Sequence, residues 1–394
     1  MANIIDYVLW RGDIPFSQVP FGEVDALVLS YLSYMPFDGL VSENFSQKGT
    51  MLCDAAEYFL EHGLSSSCMI DSIREDCLLL EAVRDSERFG TLRLTGYENQ
   101  YDEETQFSAI TFLPPVGPAF VAFRGTDSTV VGWKEDFDMS FSSEVPAQGA
   151  ALDYIVRAAA ALEMPAILGG HSKGGNLAVY AGVFAPESVQ ARIECIYNFD
   201  GPGFNEQIIA GPEFRQLDMR IHTFVPQSSL IGILLWHAEP FIVVKSDAGG
   251  LFQHNPYSWQ VMGGRFILLP ERTRESRLAE DTIKNWLSTL DTQERRRVID
   301  GVYSVLSASD GRNVADLFEG RNVRAILRAV STMDEETKEI IVDSFKRLGS
   351  SLKETLPDWF EDAAGQIRTM IAQRSSDRKL EKLAEKNRDR EEKV

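Results

Sequence analysis

The hydrophobic positions follow three regimes along the chain. Up to about residue 80, apolar residues recur at three- and four-residue intervals, as in 25–32 and 55–60, which predicts amphipathic helices. Segments 90–97 and 106–113 instead alternate apolar and polar residues around the turn-like stretch 98–104, the pattern of a β-hairpin. The run Ala119-Phe120-Val121-Ala122-Phe123 is continuously apolar, as expected of a central strand covered on both faces. Strand-like and helix-like segments then alternate. The pattern predicts a helix over 148–162, a strand over 166–169 and a helix over 176–184. Strands follow over 193–199, 222–225, 241–245 and 265–269. This alternation predicts an α/β fold, with a mostly parallel sheet, right-handed crossovers and flanking helices.

After Pro270 the pattern changes again. Segments 282–290, 295–306, 322–331 and 336–348 carry helical periodicity, and strand signals are absent over 275–372. The implied organisation is an α/β domain over 1–272, whose first part (1–88) is helical, followed by a helical C-terminal segment over 273–373. A charged tail over 374–394 has only Leu380 and Leu383 as sizeable apolar residues, which predicts a frayed helix or disorder.

Composition narrows the partners more than the fold. The chain has 394 residues and a net charge of −20, which disfavours nucleic acid and anionic membrane surfaces. The tail carries 8 Lys/Arg against 6 Asp/Glu, so the acidity lies in the preceding part. The four cysteines, Cys53, Cys68, Cys77 and Cys195, form no C-x-x-C pair and no Cys/His cluster, so neither zinc nor any other metal is expected. The N-terminal residues lack a basic stretch followed by an apolar one, and no uncharged apolar run reaches 18 residues. The expectation is a cytoplasmic chain without a transmembrane segment, its cysteines buried thiols.

One segment concentrates the chemistry. Residues 167–178 read Ile-Leu-Gly-Gly-His-Ser-Lys-Gly-Gly-Asn-Leu-Ala and contain G-x-S-x-G as Gly170-His171-Ser172-Lys173-Gly174. A strand-like run precedes it and a small-residue helix pattern follows, the context of a nucleophile elbow. The bland reading is an ordinary glycine-rich strand-to-helix turn. A serine nucleophile needs a base, a group to orient that base, and donors for the oxyanion. Five histidines are available: His62, His171, His222, His237 and His254. In α/β-hydrolases the chain order is serine, acid, histidine. That order favours His254, in Gln253-His254-Asn255-Pro256-Tyr257-Ser258-Trp259, over His237. For the acid, Asp200 ends the first strand after the elbow and heads the turn Asp200-Gly201-Pro202-Gly203, where α/β sheets place ligand-handling groups. Asp247 is the alternative acid. Oxyanion donors are expected from Lys173 N–H and from Thr126 in Phe123-Arg124-Gly125-Thr126-Asp127. The rival reading of that turn is Arg124–Asp127 pairing.

Phe123-Arg124-Gly125-Thr126, Gly132-Trp133-Lys134-Glu135-Asp136-Phe137 and Gly170-His171-Ser172-Lys173-Gly174-Gly175 together resemble the class 3 lipase pattern. With Asn198-Phe199-Asp200-Gly201-Pro202-Gly203-Phe204 and 253–259, the stretch 1–270 more closely resembles a bacterial α/β-hydrolase-like family of unknown function related to those lipases. The resemblance implies an F-R-G-[ST] turn that supplies the oxyanion residue and a W-x-x-D segment that supports it. One departure stands out. Class 3 lipases carry their acid in an N-D-x-V-P-like segment after a later strand. This chain has Phe224-Val225-Pro226-Gln227-Ser228-Ser229-Leu230-Ile231-Gly232 there, without a carboxylate. Either the acid has moved to Asp200, or the triad is incomplete.

The leading expectation is therefore a serine esterase, lipase-like, that cleaves a small-molecule or lipid-like ester through Ser172, His254 and Asp200, with no cofactor. The alternative is a catalytically impaired binding protein on the same fold. Phosphate binding at the glycine-rich turn lacks the G-x-x-x-x-G-K-[ST] pattern. The apolar loop 230–240 is expected to border the site, as a lid or as a buried helix.

Overall fold

A computed structural model describes residues 1–64, 72–101, 106–125, 145–289 and Lys346. Eleven strands form among these residues: β1 (Thr50–Met51), β2 (Arg93–Tyr101), β3 (Gln106–Leu113), β4 (Ala119–Phe123), β5 (Ala166–His171), β6 (Ile193–Phe199), β7 (Ile221–Pro226), β8 (Phe241–Val244), β9 (Val261–Met262), β10 (Arg265–Phe266) and β11 (Leu268–Leu269). Nine of them build one sheet in the order β1-β2-β3-β4-β5-β6-β7-β8-β11. The strands β4 through β8 run parallel and form its centre, and the strands at both ends pair antiparallel. This is the mostly parallel α/β sheet with flanking helices that the strand–helix alternation predicts.

Helices cover both faces. Along β4, Phe120 and Ala122 point to a core shared with helices Ile4–Arg11 and Glu23–Leu32, while Val121 and Phe123 point to one shared with Pro146–Ala161 and Lys173–Phe184. Side chains alternate across a strand, so burial on both faces requires the unbroken apolar run seen in 119–123. The N-terminal helices are locked by a buried ion pair. Arg88 is fully buried, bonds Asp25 through Nε (2.8 Å) and Nη2 (2.6 Å), and donates to the carbonyls of Ile14, Val19 and Pro20. Its guanidinium lies 3.9 Å from the Phe16 ring centroid. A buried charge is tolerated only when paired and hydrogen-bonded, and here both carboxylate oxygens of Asp25 and three backbone carbonyls accept from it.

Several boundaries differ from the sequence pattern. The first hairpin strand begins at Arg93, because Ser86 caps a helical turn over Glu87–Gly90. The apolar run 265–269 is two strands. Arg265–Phe266 pairs with Val261–Met262, and Leu268–Leu269 joins the sheet edge beside β8. Cys53, Cys77 and Cys195 are free thiols, and they are partly rather than fully buried. Helix Arg274–Ser288 begins the C-terminal segment and docks onto the sheet unit: Ala279 packs on Ile233, and Ser276 Oγ donates to Ser229 O at 2.9 Å. The rest of the helical segment expected to 373, the tail 374–394, Thr126, Asp127, the Gly132 to Phe137 motif and Cys68 lie outside the described residues.

Candidate active site

Strand β5 ends at His171, and the chain turns at Ser172 into the helix Lys173–Phe184. Ser172 has φ 59° and ψ −136°, a left-handed conformation that costs a non-glycine residue about 1–3 kcal/mol. The flanking glycines explain how the turn closes. A Cβ on Gly170 would lie 2.2 Å from Gly174 C, and one on Gly174 would lie 2.0 Å from Phe123 O. The G-x-S-x-G spacing is thus a packing requirement between strand, helix and the neighbouring β4. Lys173 opens the helix, so its backbone N–H sits at the positive end of the helix dipole. Its side chain is buried, with Nζ donating to Gln106 O at 3.0 Å.

The turn after β4 reaches the same place. A Cβ on Gly125 would fall 3.0 Å from Ser172 Cβ and 2.5 Å from His171 O. The residue that follows is Thr126.

Asp200 follows β6 and is itself left-handed, with φ 51°. It is 1% exposed. Its backbone N–H donates to Phe224 O at 2.8 Å, and the Ser172 N–H donates to Phe199 O at 2.9 Å, so the Ser172 turn and Asp200 are held by adjacent strand ends. Asp200 Oδ1 accepts from the Ser229 hydroxyl and from Gly232 N–H (3.2 Å). Its Oδ2 lies 2.7 Å from His254 Nδ1. His254 ends a short 3-10 turn, Gly250–His254. Its ring packs against the His171 ring, with centroids 4.5 Å apart and planes tilted by 35°. Ser172, Asp200 and His254 are thus brought to one end of the parallel strands. Among the described residues no hydrogen bond joins the Ser172 hydroxyl to His254; unliganded sites of this kind are often looser than the reacting geometry.

The remaining histidines and Asp247 make other contacts. His237 is buried against Glu239, at 3.3 Å, and Glu239 in turn accepts from Thr223. Burial raises the Glu239 pKa, but the bonds from His237 and Thr223 outweigh it and hold the carboxyl below its ordinary value. His222 faces Tyr197 on the sheet, and burial lowers its pKa. His62 is exposed, with Nδ1 against Tyr58 O. Asp247 is exposed, and its backbone N–H bonds Ser258 O.

Sequence reasoning misses the supports of the site. Ser229 and Gly232 bond the Asp200 carboxylate from 29 and 32 residues away. Asn176 ties the elbow helix to the turn after Asp200, donating to Pro202 O and Gly203 O. The apolar loop after β7 is part of this frame. Ile233 and Leu235 are buried, Gly203 N–H bonds Leu234 O, and Phe204 and Trp236 form a bridge. These contacts seat it beside Asp200 as an irregular loop, not as the buried helix of the alternative reading. Among the described residues, no group of three or more His, Cys, Asp or Glu could hold a metal ion, and no helix is long and apolar enough to cross a membrane.

The Mbeg1-like family model matches residues 83–304, more than half of the chain. No curated protein matches it. Similar solved structures include the native propeptide complex of Rhizomucor miehei lipase, at 14% identity and a TM-score of 0.32, covering 43% of this chain. The match spans 60% of that lipase chain. M37 lipase is 14% identical with a TM-score of 0.31, over 53% of this chain and 67% of its own.

Proposed function

The chain belongs to the Mbeg1-like family, and we propose that it is a serine hydrolase of small-molecule or lipid-like carboxylic esters, with Ser172 as nucleophile, His254 as base and Asp200 as the acid that orients it. The observation that carries this reading is the 2.7 Å contact between Asp200 Oδ2 and His254 Nδ1 beside a left-handed serine. A carboxylate on Nδ1 keeps the proton there and leaves Nε2 free to accept one. Ser172 Oγ attacks the ester carbonyl while His254 takes its proton. The proton passes to the leaving alcohol as the C–O bond breaks, and water then hydrolyses the acyl-enzyme by the same route. Lys173 N–H, at the helix start, and Thr126, one residue after the Gly125 that abuts Ser172, are the oxyanion donors of this scheme.

A fluorophosphonate probe tests the reading. It should modify Ser172, as mapped by mass spectrometry. Ser172→Ala should lose labelling and about 10^4-fold or more of its p-nitrophenyl butyrate turnover. Labelling that persists in the variant refutes the assignment. A wild-type chain that neither labels nor turns over the ester supports a binding protein on a hydrolase fold.

A further inference from the structure

His171 stands next to the nucleophile in sequence and plays no part in the proposed reaction, yet it is fully buried and doubly bonded. Its Nε2 lies 2.8 Å from His254 O. A carbonyl can only accept, so Nε2 carries the hydrogen. The Nδ1 atom lies 3.2 Å from the Tyr34 hydroxyl, which is also 3.3 Å from His171 O. The neutral Nε2–H tautomer fits both ring contacts, with the single phenol hydrogen shared between Nδ1 and His171 O. Burial, followed by the charge of the neighbouring His254, pushes the His171 pKa well below its ordinary value.

We propose that His171 is a positioning residue for His254: its buried ring, clamped by Tyr34, ties the backbone and ring face of the base to the strand that ends in the nucleophile. This inference rests on the hydrolase reading of the site. The bond spans 83 residues of sequence, and among the described residues no other hydrogen bond joins His254 directly to the elbow strand. Because His171 precedes Ser172 directly, whatever fixes its ring fixes the separation of base and nucleophile. Ring contact at 4.5 Å, with the planes 35° apart, bears on the tilt of the His254 ring, and the bond to His254 O on its depth. A neutral partner is required, since His254 becomes positively charged during turnover and a second charge at stacking distance would oppose it.

The test compares wild type, His171→Phe and His171→Gln on p-nitrophenyl butyrate, with the His254 Nδ1 proton followed by NMR. Phenylalanine keeps a stacked ring but loses the donor. It should lower kcat by about 10- to 100-fold, with KM within about threefold, because the base is misplaced and binding is not. Glutamine places an amide N–H near the lost Nε2–H and should recover kcat to within about fivefold of wild type. The His254 Nδ1 proton should be sharp in wild type and in the glutamine variant, and broadened in the phenylalanine variant. Equal kcat in wild type and His171→Phe, or a glutamine variant no better than phenylalanine, overturns the proposal. If the wild-type chain has no esterase activity, the hydrolase reading falls and the NMR signal alone decides: unchanged in His171→Phe, it overturns the positioning role. Should His171→Phe fail to fold, Tyr34→Phe removes only the clamping hydroxyl and should give the same split between kcat and KM; an unchanged kcat there counts against the proposal.

Discussion

Replacing Asp200 by asparagine isolates the orientation of the base. Asp200 Oδ1 accepts from Ser229 Oγ and Gly232 N–H, while Oδ2 faces His254 Nδ1. An asparagine must keep its oxygen on the Ser229 and Gly232 side, because an NH2 group there would meet the Gly232 N–H. The amide nitrogen is then directed at His254 Nδ1. Two donors cannot bond, so the imidazole moves its proton to Nε2 and presents no acceptor to Ser172. The cost is that of the wrong tautomer, about 10^4-fold in kcat, or about 5.4 kcal/mol at 1.36 kcal/mol per tenfold. Stability should hardly move, because both donors to Oδ1 keep their acceptor. The assay is p-nitrophenyl ester turnover, with thermal unfolding as the control for fold. Asp247→Asn, at an exposed side chain, should stay within about twofold of wild type. A folded Asp200→Asn protein within tenfold of wild type refutes the assignment, and a large loss in Asp247→Asn would transfer the role to that residue.

Two further outcomes follow from the same geometry. Ser229→Ala removes one of the two donors to Asp200 Oδ1 and should lower kcat by about tenfold, the scale of one hydrogen bond to a charged acceptor with the Gly232 N–H still in place; an unchanged kcat would mean that Gly232 alone holds the acid. Stability should fall on acidification, because the His171 pKa is depressed in the folded state and the unfolded chain therefore binds more protons below its ordinary value of about 6.5. The stabilisation is complete above that pH and is lost as pH falls toward the depressed value, at no more than about 1.4 kcal/mol per pH unit for this group. Urea unfolding of wild type and His171→Gln at pH 7, 6 and 5 should show a shallower slope for the variant, and equal slopes would contradict the buried neutral state.

The parallel centre of the sheet and the elbow were readable because both are local. Five apolar residues at 119–123 report burial on two faces, and Gly170 and Gly174 report a close approach of strand and helix. The supports of the site are not local. Ser229, Gly232 and His171 act on residues 29, 32 and 83 positions away, and no periodicity encodes those distances. The Asp25–Arg88 pair spans 63 positions and looks in sequence like two ordinary surface charges. The run 265–269 read as one strand because its composition is uniform; its division between a small ribbon and the sheet edge depends on partners at Met262 and Val244. The helical pattern at 282–290 overlaps only the second half of helix Arg274–Ser288; the start of that helix and its seat on Ser229 and Ile233 depend on distant partners.

The missing carboxylate after β7 has a physical counterpart in this geometry. Strands β6 and β7 are parallel neighbours with Phe199 opposite Phe224, and Asp200 N–H bonds Phe224 O, so residues following either strand emerge side by side. A carboxylate from either end can therefore reach an imidazole brought over the sheet from the His254 turn. In the class 3 lipase pattern that this chain resembles, the acid comes from the later strand. Here the segment after β7 contributes the Ser229 hydroxyl instead, and that hydroxyl donates to Asp200 from the earlier strand. Two carboxylates at this spot would repel each other, and one would be forced to hold a proton. A hydroxyl in place of the second one supplies a donor, and it fixes the oxygen that does not face His254. On the proposed reading the departure at Gln227-Ser228-Ser229 goes with the placement of Asp200, and helix Arg274–Ser288 bonds the same segment through Ser276 Oγ to the Ser229 backbone carbonyl.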